Sequence, residues 1–156
     1  MVITFCGHRQ IDWFVNEEKI IEKLTKVILE NFDKSSTVFL CGGYGKFDYY
    51  CAKTVKILKN SYPDIKSFFV SPYKHESFRK IIQTIMSEGF YDRTIYPDLK
   101  YVPYKFAILE RNKYMINSAD LIIAYINHSW GGAYSAYAYA KSKNKKIINL
   151  GDNSDF

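Results

Sequence analysis

No stretch of this sequence approaches the roughly twenty consecutive apolar residues that a membrane-spanning helix requires. The amino terminus enters Val2-Ile3-Thr4-Phe5 directly, without the basic and apolar segments of a secretory leader. A cytoplasmic location without a membrane partner is therefore expected. Cysteine is scarce: Cys6, Cys41 and Cys51 are three in number, cannot all pair, and lack the spacing of a zinc or redox motif. They read as buried or semi-buried thiols, and no metal or cofactor is expected. The chain lacks internal repeats, low-complexity tracts and Pro/Gly/Ser linkers, so a single domain over residues 1–156 is expected. Two glycine signatures are also missing. Neither G-x-x-x-x-G-K-[ST] nor G-x-G-x-x-G occurs, which argues against a P-loop NTPase and an ordinary NAD-dependent dehydrogenase.

Apolar residues make up 47% of the chain and aromatic residues 17%, enough to require a packed core. The formal charge of +6 comes from 22 basic against 16 acidic residues. Lys19, Lys23 and Lys26 are scattered over a helix face. Lys141, Lys143, Lys145 and Lys146 form the one dense basic run and read as a solvated helix end. On charge alone, nucleic acid is therefore an unlikely partner.

Short apolar runs alternate with longer stretches of helical period. Strands are predicted at residues 2–6, 37–41, 66–70, around 94–96, at 121–126 and at 146–150. Helices are predicted from about 17 to 32, with Asn16 as N-cap and Glu17 and Glu18 in the first turn, then at 47–60, 78–86 and 104–117, with an Ala/Tyr-rich one ending at 143. This alternation implies right-handed βαβ crossovers and an α/β fold, a Rossmann-like three-layer αβα sandwich with a mainly parallel sheet. Ligands of such sheets bind beyond the carboxyl ends of the strands.

The predicted strand ends carry Gly7-His8-Arg9, Gly42-Gly43-Tyr44-Gly45 followed by Asp48, Ser71-Pro72-Tyr73-Lys74, and Asn127-His128-Ser129-Trp130-Gly131-Gly132. Glycine there lets a phosphate approach the backbone, and a helix beginning next directs free N–H groups at it. Gly7, Gly42, Gly43, Gly45, Gly131 and Gly132 are accordingly candidate ligand contacts. Arg9 suits bidentate phosphate or carboxylate binding. His8 is either a polar contact or a turn-stabilising group. Arg111 and its neighbour Asn112 fall on a helix, where Arg111 reads either as a ligand contact or as a surface ion pair. Asp120, on the side away from the ligand face, reads as a structural cap.

Taken in order, Gly7-His8-Arg9, Gly42-Gly43-Tyr44-Gly45 with Phe47-Asp48, Arg111-Asn112, residues 118–124 and Gly131-Gly132 resemble the SLOG superfamily. The branch they resemble most is the YpsA-like one, related to the LOG nucleoside monophosphate phosphoribohydrolases. That resemblance implies a pocket for a nucleotide or a nucleotide-derived, ADP-ribose-like ligand. Arg111 matches the reactive arginine of the LOG enzymes, but Ala138 stands where their glutamate belongs. Glycosidic hydrolysis needs that carboxylate, so a nucleotide-binding or sensing domain is the leading reading. Two alternatives stand beside it. One is a phosphoribohydrolase-type glycosidase with a relocated carboxylate, for which Arg111 and Asp48 are the weak catalytic candidates. The other is a module that binds protein or single-stranded nucleic acid through its many tyrosines. The late tyrosines Tyr134, Tyr137 and Tyr139 are explained equally by a homo-oligomer interface and by core packing.

Overall fold

Apolar, β-branched runs become strands in this chain, and the amphipathic stretches between them become helices. The computed structural model describes residues 1–152. Its strands are β1 (Val2–Gly7), β2 (Val38–Cys41), β3 (Lys66–Val70), β4 (Arg93–Ile95), β5 (Leu121–Tyr125) and β6 (Lys146–Asn149). Its helices are α1 (Glu17–Asn31), α2 (Lys46–Lys59), α3 (Arg79–Ser87), α4 (Ala107–Ser118) and α5 (Gly131–Ser142). Single 3₁₀ turns, Glu76–Phe78 and Tyr104–Phe106, lead into α3 and α4. The six strands form one sheet in the order β4-β3-β2-β1-β5-β6, and every pairing is parallel. The expected Rossmann-like α/β fold is present.

The period of two along each strand decides what each face buries. Ile3, Phe5, Leu121 and Ile123 point to the side covered by α1 and α2, where Ile20, Leu24 and Ile28 meet them. Cys6, Ile122 and Ala124 point to the other side, against Ile116 of α4 and Ala136 and Ala140 of α5. Small residues on α5 let that helix lie close to the sheet. All three cysteines are buried free thiols, and burial pushes Cys6 up to about 12.

Local capping follows the sequence where a polar cap exists. Asn16 Oδ1 accepts from the N–H groups of Glu18 at 2.7 Å and Lys19 at 3.3 Å, which starts α1. Asp120 Oδ2 accepts from the Val2 N–H at 2.7 Å and so ties the start of β1 to the approach to β5. At the same end of the sheet, Lys145 Nζ donates to the carbonyls of Asn117 and Ala119, both at 2.9 Å. Lys146 donates to Asn31 Oδ1 at 3.0 Å. Lys145 and Lys146 of the dense basic run therefore secure helix ends where the strands begin, at the opposite end of the sheet from the loops that follow the strands.

Glycine has two different meanings in this fold. A Cβ on Gly7 would lie 2.1 Å from Cδ1 of the fully buried Phe47 ring, whereas one on Gly132, inside α5, would meet nothing within 4 Å. Gly7→Ala is therefore expected to cost about 1–3 kcal/mol through overpacking. Gly132→Ala should be neutral or stabilising by up to about 1 kcal/mol, because alanine is the better helix former. Urea unfolding of the two variants beside the parent checks both signs.

Candidate functional site

The strand order reverses between β1 and β5: β2, β3 and β4 extend to one side of β1, β5 and β6 to the other. The loops leaving β1 and β5 must part there, and the crevice between them is the expected ligand position of a doubly wound sheet. A cavity of about 620 Å³ occupies it. It is lined by Gly7 at the end of β1 with His8 and Arg9 after it, Gly42, Tyr44 and Asp48 after β2, Arg111 and Asn112 of α4, and Asn127, His128, Trp130, Gly131 and Gly132 after β5. Of the residues singled out from sequence, Gly43 and Gly45 are not on its wall. Gly43 packs toward Phe69, and Gly45 sits against the Arg9 backbone.

Arg111 forms the floor. Its side chain is almost fully buried (2% exposed), which corrects the expectation of a surface ion pair. Nη1 donates to the carbonyls of Gly42 and Val70, each at 2.7 Å, and Nε donates to Asn112 Oδ1 at 2.9 Å. The physical reason is the carbonyl supply. Residues at the carboxyl ends of β2 and β3 have run out of strand partners, and a planar fork can serve two of them at once.

Asp48, in the first turn of α2, holds the neighbouring loop. Its Oδ2 accepts from the Tyr44 N–H at 2.9 Å. Desolvation in the cavity floor raises its pKa to about 6, against the lowering effects of the Tyr44 N–H, Arg111 and Arg9. A Cβ on Gly42 would lie 3.0 Å from this carboxylate and 3.3 Å from Arg111 Nη1. Gly42 is thus glycine because two charged side chains close around it. Gly131 and Gly132 differ, since they face open space at the start of α5. No side chain caps α5 among the described residues, so its first N–H groups remain available. The cavity also holds Asp12, and its charge is mixed: Arg9 and Arg111 against Asp12 and Asp48.

The other wall is aromatic. His8 is buried, and its Nε2 accepts from the Asn127 N–H at 3.3 Å. Its pKa is lowered by burial first and by His128 second. The His8 and His128 rings stack at 3.4 Å between centroids, and His128 stacks on Trp130 at 3.9 Å. Trp130, 70% exposed, ends this column beside the start of α5. His128 Nδ1 is buried and without a hydrogen-bond partner among the described residues. A second group, Tyr73, Phe78 and Tyr104, stacks with centroid separations of 4.4 to 5.9 Å.

In the sequence His128, Trp130 and Tyr73 stand out only as strand-end residues, and Phe78 and Tyr104 only as helix starts, with no role attached to any of them. A pattern was there to be found. Of the exposed aromatics, Trp13, Phe14, Tyr96, Tyr101, Tyr104, Phe106 and Trp130 lie in segments that lead from a strand to the following helix, while Tyr49 and Tyr114 lie on α2 and α4. In a parallel sheet those segments share one end.

Two outcomes follow from the floor. Asp48 is protonated below its raised value of about 6 in the folded chain but ionises near 3.8 when unfolded. Its contribution therefore favours folding at low pH and is lost as pH rises from about 4 to about 6. Asp48→Asn removes this dependence. Relative to the parent, the variant should gain on the order of 2–3 kcal/mol between pH 4 and pH 7, read from urea unfolding across that range. Arg111→Met leaves the Gly42 and Val70 carbonyls buried without a donor, and about 2–4 kcal/mol of stability should be lost at pH 7, measured the same way.

No family model matches the chain, and no curated protein matches it. Among the solved structures that share its fold are two DNA processing proteins. DNA processing protein A from Helicobacter pylori, described by its single-stranded DNA binding mode, superposes with a TM-score of 0.62 at 17% identity, over 99% of this chain and 67% of its own. DNA processing protein A from Streptococcus pneumoniae gives a TM-score of 0.62 at 15% identity, over 94% of this chain and 49% of its own. At this identity the likeness shows the fold. It also corrects three expectations. The resemblance to the YpsA-like branch and the LOG enzymes gives way to a likeness to these two DNA processing proteins. Glycine turns at the switch point of a doubly wound sheet are general to such folds and do not single out that branch. The free-nucleotide ligand gives way with it. Nucleic acid as an unlikely partner is the third, since it rested on bulk charge and overlooked aromatic residues gathered at one end of the sheet.

Proposed function

We propose that this chain binds single-stranded nucleic acid at the carboxyl end of its sheet. The observation that carries the reading is the His8–His128–Trp130 column, which ends on an exposed indole beside the uncapped start of α5. A base presents a π-face to the indole while its phosphate meets backbone N–H groups at Gly131 and Gly132 and the Arg9 guanidinium. A duplex keeps its bases stacked on each other, so such a platform favours the single strand. The likeness to a protein described as binding single-stranded DNA supports the same reading. Arg9, Gly7, His8, Gly42, Asp48, Arg111, Asn112, Gly131 and Gly132 are the proposed site, with His128 and Trp130 added. Gly43 and Gly45 act behind it, as turn residues.

Aromatic stacking contributes about 1–3 kcal/mol per base. Trp130→Ala should therefore weaken binding of a fluorescein-labelled oligothymidylate by that amount in an anisotropy titration, and the parent affinity should fall as salt is raised. Binding that is unaffected by Trp130→Ala, or displaced better by duplex than by single-stranded competitor, counts against the proposal.

A further inference from the structure

A second cavity, of about 410 Å³, lies at the carboxyl ends of β3 and β4. Its wall includes Ser71, Pro72, Lys74, Tyr96, Asp98 and Lys100, from the loops that follow those two strands. The two cavities meet at one short stretch of backbone. Arg111, in the floor of the first, bonds the Val70 carbonyl, and Ser71 and Pro72 of the second come next in the chain. Tyr73 follows Pro72 directly in the chain. It feels Tyr44 and Arg111 of the first cavity and stacks on Tyr104 at 4.7 Å, with 14° between the rings. Tyr104 is 64% exposed.

We propose that the second cavity is a further station for the same single strand, an inference that rests on the function proposed above. A strand whose base sits on Trp130 passes the Tyr73–Tyr104 stack on its way along the sheet edge. Lys74 and Lys100 then meet its next phosphates. The chemistry fits that occupant: stacked aromatics at the passage, two lysines in the cavity, and a single carboxylate, Asp98, on the wall. The Asp98 side chain is engaged within its own loop, where Oδ1 accepts from the Lys100 N–H at 3.3 Å.

The test uses the full chain and two oligothymidylates, one of about four nucleotides and one of about twelve, lengths that bracket a small single-strand site. The shorter occupies the first station and should lose affinity in Trp130→Ala. Lys74→Ala/Lys100→Ala and, separately, Tyr104→Ala should leave the shorter strand's affinity unchanged and weaken the longer at least about fivefold. An unchanged affinity for the longer strand in both variants, or an equal loss for both lengths, overturns the second station and leaves the first standing. If the parent chain binds neither strand, the proposed function fails and the second station with it.

Discussion

Arg111 donates from one nitrogen to two backbone carbonyls that belong to neighbouring strand ends, Gly42 after β2 and Val70 at the end of β3. Parallel strands stop pairing at their carboxyl ends, and the carbonyls left over must find donors or water. A buried guanidinium solves this for two strands at once and fixes where their loops depart. Asp48 fixes the loop between β2 and α2 by accepting from Tyr44, and Gly42 leaves room for both charged groups. The burial that raises the Asp48 pKa also lowers that of Arg111. Charge is tolerated in this floor because hydrogen bonds hold it there. The first cavity stands on this floor, and the second begins at the residue that follows Val70.

The two ends of the sheet are chemically unlike. Where the strands begin, Lys145, Lys146 and Asp120 close helix ends and tie strands together. Where the strands end, aromatic side chains stand exposed beside lysines and arginines, and the start of α5 is uncapped. Exposed Trp and Tyr on one face of a small domain need a reason, since such surface is costly to leave in water. A ligand with stacked π-faces and a charged backbone supplies one.

Much of the fold was legible because its signals are local. Asn16 before Glu17 and Glu18, the period of Ile20, Leu24 and Ile28, and the apolar run of β5 each follow from a few residues. The boundary at α4 was less so: Tyr104 to Phe106 turns tightly before the α-helix starts at Ala107. The site was half legible. Glycines after strands point to a crevice whatever the family, so Gly7, Gly42, Gly131 and Gly132 fell on its wall. Arg111 lies on the wall too, but its burial depends on carbonyls 41 and 69 residues away in sequence, and a window along the chain does not register such partners. The His8–His128 stack joins residues from loops that only the β1–β5 pairing brings together. Composition counted the tyrosines without saying which end of the sheet they occupy, and the resemblance to a nucleotide-binding branch then filled that gap with the wrong ligand class.

Mapping of backbone amide shifts in a ¹⁵N-labelled chain, titrated with oligothymidylate, tests the central claim most directly. The account predicts that the largest changes fall on His8, Gly42, His128, Gly131 and Gly132, the residues around the reversal of strand order. Changes confined to Lys141, Lys143, Lys145 and Lys146 at the opposite end, or no changes at all, would contradict it.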